Sequence, residues 1–365
     1  MVKYLFALLL SLLITLGSCQ TLEELSIDYM LPAEISFPDQ LKRVAVVNNV
    51  SSIPDHAILP KNEVNKENEL SRATAYHNGD ATLAASSLAE AIAQENYFDR
   101  VVICDSALRA QDITPRENTL SRNEVQELTQ DLGVDFIIAL ENMQLQATKA
   151  IRYLPDWACF QATVDVKVYP TVRVYLPGRK DPMVTINAND SIFWEELGST
   201  ETYVRSRMPR DNQLIEESSK FAGSLPLKYL LPSWKTSKRY LYTGGSVNMR
   251  DAAIYVREEA WDNAFKLWSE AHRLSKSEKK KMAAAHNIAV YYEMQDSIET
   301  AETWAIKAQQ LARKVEKLDE ISQKAKDVSS VPNYVMITLY LNELQERKAG
   351  LYKLNMQMNR FNDDF

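Results

Sequence analysis

The sequence predicts an α+β protein in which a mixed α/β sheet domain with a long β-hairpin precedes an all-α domain of helical repeats. Every even position from Phe160 to Leu176 is apolar, which is the period of a strand with one covered face. Strand-like and helix-like segments alternate between residues 40 and 235. After residue 246, two segments align at an offset of 37 residues, which indicates repeats.

The amino end has the pattern of a signal peptide. Lys3 supplies a positive start, and a mostly apolar run extends from Tyr4 to Leu16. A membrane-spanning helix needs about 20 apolar residues, so this run fits a signal-peptide core better than an anchor helix. We therefore expect residues 1–18 to be a signal peptide and residues 19–39 to be a tether to the folded chain.

The run ends in Leu16, Gly17, Ser18 and Cys19, which resembles the lipobox of bacterial lipoproteins. The resemblance implies cleavage before Cys19 and a lipid on its thiol. Several acyl chains anchor a protein stably where one does not. Gln20, rather than Asp, follows the cysteine, which in that family favours the outer membrane. Because no acidic run directly follows Cys19, the periplasmic face is favoured over the cell surface.

Charge and composition exclude several classes of function. Without Lys3 the chain has 41 basic and 49 acidic residues, a net charge of −8, and it has no basic stripe with interleaved aromatics. We therefore expect no nucleic-acid partner. The chain has only nine glycines in 365 residues, so a glycine-rich phosphate-binding loop is not expected. Cys104 and Cys159 lie in strand-like runs, and the sequence leaves open whether they pair.

The first domain, residues 40–235, combines strand and helix signals. The predicted order is a strand at 43–47, a polar loop at 50–78, a helix at 80–94 capped by Asp80, a strand at 100–104, a helix at 121–132, a strand at 135–140, a hairpin with strands at 160–176 and 184–194, and a helix at 213–229. Ser121 and Glu124 have the spacing of a capping box, and Gly133 suits the helix end. Pro170 cannot donate to a ladder, so it predicts a bulge, bend or edge. Trp234, in the linker, is expected to wedge between the domains.

This order resembles the amino-terminal domain of the translocation protein TolB and the periplasmic domain of the curli secretion channel family. The pieces that match are Ala89–Val102, Leu132–Ile138 and Val172–Trp194. The resemblance implies the same sheet-and-helix fold. No pair of lipid-facing segments matches the pore strands of the channel family, so pore formation is not implied. An exposed sheet edge could still recruit a strand from another chain.

The second domain, residues 246–358, resembles the tetratricopeptide repeat, and residues 359–365 are expected to be a tail. At the offset of 37, Ala252, Ala264 and Ala271 align with Ala289, Ala301 and Ala308. Small residues at such positions let paired helices approach closely. A long last helix at 333–357 is expected to cap the stack. Repeat stacks offer concave partner surfaces, and the aromatic candidates for this surface are Tyr255, Trp261, Trp268, Tyr292 and Trp304. The alternative is that the repeats only dock the first domain.

Motifs for catalysis and cofactors are missing from the sequence. It has no G-x-S-x-G, H-E-x-x-H, C-x-x-C, Walker or G-x-G-x-x-G pattern, so we expect neither an enzyme nor a cofactor or metal. His77 beside Asp80 is the most site-like cluster, although a turn with an N-cap is the favoured explanation. His272 and His286 could meet within one helical hairpin, and Asn187, Asn189 and Asp190 offer oxygen atoms to a cation, but packing and strand alternation account for both sets.

Together these features resemble a group of uncharacterised Bacteroidota lipoproteins, which implies a location and an architecture but no activity. The leading hypothesis is a lipid-anchored cell-envelope protein that binds a protein partner through a tetratricopeptide-like groove and its sheet domain. One alternative is an envelope enzyme of hydrolase type with a site near the loop of residues 50–80. Another is a structural subunit of an oligomeric envelope complex. The partner, the leaflet and the stoichiometry are not determined by the sequence.

Overall fold

The computed structural model describes residues 22–51, 61–62, 69–104, 106–112, 119–320 and 331–361. The predicted signal peptide, the predicted lipidation site Cys19 and the end of the predicted tail lie outside these residues. The chain forms two compact units. We call residues 33–232 with 360–361 the sheet unit, and residues 22–32 with 233–359 the helical unit.

Eight strands and five helices make up the described part of the sheet unit. The strands are β2 (Arg43–Asn48), β3 (Lys61–Asn62), β4 (Glu69–Asn78), β5 (Arg100–Cys104), β6 (Phe136–Leu154), β7 (Cys159–Tyr175), β8 (Val184–Asn187) and β9 (Asp190–Gly198). The helices are α1 (Ala81–Gln94), α2 (Arg122–Leu132), α3 (Glu201–Arg207), α4 (Asp211–Ser224) and α5 (Leu227–Leu230).

The long strand β6 organises the sheet. Along one side, its first part pairs with β2 in parallel and its second part pairs with β4 in antiparallel. β5 extends the sheet beyond β2, and β3 extends it beyond β4. Along its other side, β6 pairs with β7 over almost its whole length, and β7 in turn pairs with both β8 and β9. The sheet is therefore mixed, with parallel strands at one end and a long antiparallel hairpin through its middle.

Local helix signals that the sequence predicted are present. Asp80 caps α1 by accepting from the Leu83 N–H at 2.9 Å. Ser121 and Glu124 form the complete capping box of α2, and Gly133 ends that helix in the left-handed region at φ 63°. Each of these contacts satisfies backbone groups that a helix end leaves without a partner, so the helix limits follow from local chemistry.

The sheet carries apolar layers on both faces where its strands are parallel. Val44 and Val46 belong to the larger core under α1 and α4, whereas Ala45 and Val47 face a smaller core under α2. A parallel strand buried on both faces reads as a continuous apolar run rather than an alternation. β7 has the predicted alternation, and its even-numbered valines, Val164, Val166, Val168, Val172 and Val174, are buried in the larger core.

Four predicted elements differ in extent from the structure. The loop expected at 50–78 contains β4, whose pairing partner is the second part of β6, and β6 itself continues well past Leu140. The return strand expected at 184–194 is divided into β8 and β9. Pro170 faces the gap between them: its carbonyl accepts from the Ala188 N–H, and the ladder of β6 against β7 shifts register beside Leu140. The helix expected at 213–229 is divided at Pro226 into α4 and α5.

The described part of the helical unit consists of a two-stranded ribbon and five α-helices. The ribbon is β1 (Leu22–Leu31) with β10 (Ser233–Tyr242), and the helices are α6 (Val247–Arg257), α7 (Trp261–Leu274), α8 (Glu278–Met294), α9 (Ile298–Val315) and α10 (Pro332–Met358). Helix α6 packs on α7, α8 packs on both α7 and α9, and α10 packs on α9. The expected long last helix is therefore confirmed, with Ile337, Leu341 and Leu344 buried.

The ribbon corrects the expectation that residues 19–39 are a tether. Residues 22–31 form a strand that pairs with β10 in antiparallel register, from Leu22 opposite Tyr242 to Leu31 opposite Ser233. Beyond that strand, Ile35 and Phe37 are buried in the larger core of the sheet unit. The strand burial alternates, with Ile27 and Tyr29 buried, so packing of a period-two apolar face holds this segment in place.

The helical core places the aligned positions of the repeat as expected. The alanines at 252, 264, 271, 289, 301 and 308 are all buried. Trp261 begins α7 and Ile298 begins α9, so the two helix pairs have the predicted offset. Trp234 lies on the face of β10 opposite to Ser233 and Lys235 and is 67% exposed.

The α+β class, with a mixed sheet domain in the amino-terminal part followed by a C-terminal region made of helices, is confirmed. Within the described ranges, no helix combines the length and the apolar character needed to cross a bilayer. Cys104 and Cys159 are free thiols.

Candidate functional site

The five aromatic candidates do not form one surface. Tyr255 lies on α6 and is 36% exposed, and Trp261 is half-buried at the start of α7. Tyr292 packs edge-on against the Phe265 ring at 5.5 Å, and Trp304 packs edge-on against the His272 ring at 5.1 Å. The last two rings therefore tie neighbouring helices together.

Trp268 corrects the prediction directly. It is only 1% exposed and belongs to the core of the helical unit, together with Ala264 and Ala271 of the same helix. The period that places the two alanines at the helix contact also places Trp268 there. Aromatic residues at repeat positions thus mark packing here, and Trp268 cannot line a partner surface.

The β1–β10 ribbon covers one face of α8. The Asn287 side chain binds both backbone groups of Tyr242, and Nε2 of His286 donates to the Tyr240 carbonyl at 2.8 Å. α8 is buried around most of its circumference, since α7, α9 and β10 all contact it. This face of α8 is therefore occupied by the chain itself.

Burial determines the protonation state of His286. Desolvation lowers the pKa of His286 to about 4, and the positive charge of Arg239 acts in the same direction, while the hydrogen bond to the Tyr240 carbonyl opposes them. The ring is therefore neutral at pH 7, with its proton on Nε2. His272 and His286 contact different aromatic rings, Trp304 for the first and Tyr242 and Tyr340 for the second.

A buried ion-pair network lies beneath the ribbon. The guanidinium of Arg239 donates to both carboxylate oxygens of Glu293 at 2.8 Å and to Glu343 at 2.7 Å. Arg239 is 4% exposed and Glu293 is 1% exposed. Arg347 approaches Glu293 at 3.5 Å and Asp296 at 2.5 Å. The network links β10 to α8 and α10, which is a structural role.

The outer face of α6 carries an exposed apolar stripe. Val247 is 59% exposed, Ile254 is 51% exposed and Tyr255 adjoins them. Asp251 and Glu258 are exposed along the same stripe. The end helix of a repeat stack normally has a polar outer face, so an apolar stripe with acidic neighbours at this position indicates a contact surface.

A second polar cluster lies in the sheet unit, at the ends of β2 and the first part of β6. Glu141 is 2% exposed and accepts from Tyr175, Arg173 and Asn49. Burial raises the pKa of Glu141, and its three donors oppose that rise. The sequence analysis missed Glu141, although a carboxylate directly after the apolar run of 136–140 was a usable signal. The cluster ties β6 to β7 at the register shift.

The loop of residues 50–80 is described only in part. His77 lies in β4 opposite Leu145 of β6, and Asp80 caps α1. Across the described residues, no group of three or more His, Cys, Asp or Glu side chains is placed to hold a metal ion. Asp190 is not part of such a group within these ranges.

Two family models match successive parts of the chain. A model described as "Domain of unknown function (DUF8603)" matches residues 41–242, which is more than half of the chain. The chain belongs to this family. A second model, "Domain of unknown function (DUF6340)", matches residues 250–346. No curated protein and no solved structure matches the chain. The DUF8603 match ends at Tyr242, the last residue of β10, and the DUF6340 match begins within α6.

Proposed function

We propose that this DUF8603 protein is a lipid-anchored protein of the bacterial cell envelope that binds a partner protein. Cys19 would carry the lipid, at the periplasmic face of the outer membrane. The support for the anchor is the order of residues 16–20, in which two small residues precede the cysteine and Gln20 follows it.

The proposal includes two fold relationships. The helical region would be of tetratricopeptide type, supported by two helix pairs offset by 37 residues with alanines buried at the aligned positions. The sheet unit would be related to the amino-terminal domain of TolB, supported by the order of α1, β5, α2 and β6 and by the antiparallel hairpin that follows.

The observation that carries partner binding is the apolar stripe of α6. Val247, Ile254 and Tyr255 present apolar surface where a terminal helix of a stack is ordinarily polar. Asp251 and Glu258 border it. The matching chemistry is an amphipathic helix with apolar side chains along one side and basic side chains beside them. Since the ribbon occupies one face of α8, α6 is the part of the repeats best placed to bind.

A crosslinking experiment tests the α6 surface. A photoreactive phenylalanine replaces Tyr255 in the full chain expressed in its host, and the control places the same residue at Tyr352, which is 78% exposed on α10. We expect one crosslinked species from position 255 and none of that mass from position 352. Adding Ile254→Glu should reduce its yield at least tenfold, because a buried carboxylate without a partner opposes binding. Equal labelling at both positions, or no effect of Ile254→Glu, would contradict the proposal.

The anchor has its own test. Growth with an alkyne-bearing palmitate should label the wild-type chain and leave Cys19→Ser unlabelled, and the variant should leave the membrane fraction. Cys104→Ser is the matched control and should label like wild type. Labelling that persists in Cys19→Ser would reject the lipid assignment while leaving the α6 surface untouched.

A further inference from the structure

The sheet unit contains an open cavity of about 610 Å³ between its sheet and the connection from α3 to α4. The strands β4, β6 and β7 form one wall, and residues 208–210 form the opposite one. Cavities of this size are typical of small-molecule sites.

The floor of this cavity is apolar. Ile151, Ala162 and Val164 line it and are nearly fully buried, and Met208 lines the opposite wall. Leu70, at the rim, is 50% exposed. An aliphatic chain would be removed from water on this floor, at about 25 cal/mol for each Å² of apolar area covered.

The charged side chains that line the cavity are all basic. Its lining includes Arg72, Lys149, Arg205 and Arg210, and no acidic residue is among the described residues that line it. Two carboxylates lie just outside the lining, with Asp211 2.5 Å from Lys149 and Glu201 2.7 Å from Arg205. Arg210 adjoins the amino end of α4, where the helix dipole adds partial positive charge. An anion entering the cavity would therefore meet an excess of positive charge.

Lys149 occupies a position where the strand pattern requires an apolar residue. Leu145, Ala147 and Ile151 precede and follow it at alternate positions of β6, and all three are buried. Lys149 pairs with Val164, which is also buried. An aliphatic residue here would extend the apolar face, whereas lysine brings a charge to the edge of an apolar floor. Such departures from local pattern are typical of functional sites.

We propose that this cavity binds a single-chain anionic amphiphile, with its tail on the floor of Ile151, Ala162 and Val164. Its head group lies among Lys149, Arg205 and Arg210. The shared chemistry is an aliphatic chain with a carboxylate or phosphate head, which a free fatty acid or a phospholipid product can supply. Lys149 exchanges its ion pair with Asp211 for the head group. The inference is independent of the proposed lipid anchor and of the α6 surface.

Calorimetric titration of the chain from residue 19 onward, with Cys19→Ser so that it carries no lipid, tests the proposal. The probes are dodecanoate, dodecyl phosphate, dodecyl maltoside and inorganic phosphate, all below their micelle concentrations. We expect both anionic amphiphiles to bind at least tenfold more tightly than the neutral amphiphile and than phosphate. Preference for dodecanoate points to a fatty acid as the source, and preference for dodecyl phosphate points to a phospholipid product. Equal binding of dodecyl maltoside, or of inorganic phosphate, would overturn the proposal.

Variants separate this site from general surface charge. Lys149→Gln with Arg210→Gln should weaken binding of the anionic probes at least tenfold. Asp211→Asn should tighten it, because it removes the carboxylate that competes for Lys149. The matched control is Arg207→Gln, on α3 but outside the lining, which should change nothing. A thermal melt of each variant checks folding. Unchanged binding in the double variant, or an equal loss in Arg207→Gln, would overturn the assignment.

Discussion

The side chain of Asn287 pairs with the backbone of Tyr242 as a neighbouring strand would. Its Oδ1 accepts from the Tyr242 N–H at 2.9 Å, and its Nδ2 donates to the Tyr242 carbonyl at 2.8 Å. Asn287 is fully buried on α8, and Tyr242 ends β10. One amide therefore closes the strand edge against a helix and satisfies two backbone groups that would otherwise be buried without partners.

Asn287→Ala should remove both hydrogen bonds and leave the two Tyr242 groups buried and unsatisfied. We expect the free energy of unfolding of the helical unit to fall by about 3 kcal/mol, measured by urea denaturation. Asn248→Ala is the control, since the bond of Asn248 to Glu270 is solvent-exposed and long at 3.3 Å. A similar loss in both variants would show that the Tyr242 contacts are not the cause.

Arg239→Met should destabilise the helical unit strongly, because it leaves the buried Glu293 carboxylate with only the longer ion pair to Arg347, at 3.5 Å. Removing one partner of a buried pair costs about 3–5 kcal/mol. Adding Glu293→Gln should recover part of that loss, since the uncompensated charge is then gone. Arg313→Ala breaks an exposed pair with Asp319 and should have no measurable effect. Additive losses in the double variant would contradict this account.

Stability should fall as the pH is lowered from 7 to 5, because of His286. Its pKa is about 4 in the folded chain and 6.5 without the surrounding structure. The unfolded chain therefore takes up a proton first, and the folded state loses about 2 kcal/mol across this interval. Urea unfolding at both pH values measures it. In His286→Gln, the decrease in unfolding free energy between pH 7 and pH 5 should be smaller by that amount. An unchanged decrease would show that other groups cause it.

Gly223→Ala should destabilise the sheet unit by forcing α4 away from α1. A Cβ on Gly223 would lie 2.3 Å from the Ala84 carbonyl oxygen, so the two helices must separate. We expect the free energy of unfolding to fall by about 3 kcal/mol. Gly178→Ala is the comparison: it meets no atom within 4 Å but has φ +84°, and it should lose only about 1 kcal/mol. Thermal unfolding of both variants measures the difference, and a reversed order would contradict the close helix contact.

Elements governed by local chemistry were predictable from the sequence. The capping box of Ser121 with Glu124 places the start of α2, and Gly133 places its end. The alternation from Phe160 onward predicts a strand with one covered face, as β7 has. The long final helix follows from the spacing of Ile337, Leu341 and Leu344. In each case the deciding contacts lie within a few residues of one another.

Elements governed by distant contacts were not predictable in the same way. The segment of β4 was assigned to a polar loop because its strand character depends on pairing with β6, about 70 residues later in the chain. Trp268 and Trp234 are the same residue type, yet the first is buried in a helix contact and the second lies on an exposed strand face. Side-chain type alone could not separate these two environments.

By itself, the sequence determined the α+β class, the local helix ends, the strand period of β7 and the offset of the helix pairs. The tertiary structure decided which surfaces remain available. It pairs β1 with β10, which are more than 200 residues apart, through backbone hydrogen bonds. The sequence between the two strands does not indicate this pairing. The tertiary structure also brings Lys149 to the rim of an apolar floor through the registers of β4, β6 and β7. The apolar period of a helix or strand can be read from neighbouring residues, whereas the pairing of strands that are distant in the sequence is set only when the chain folds.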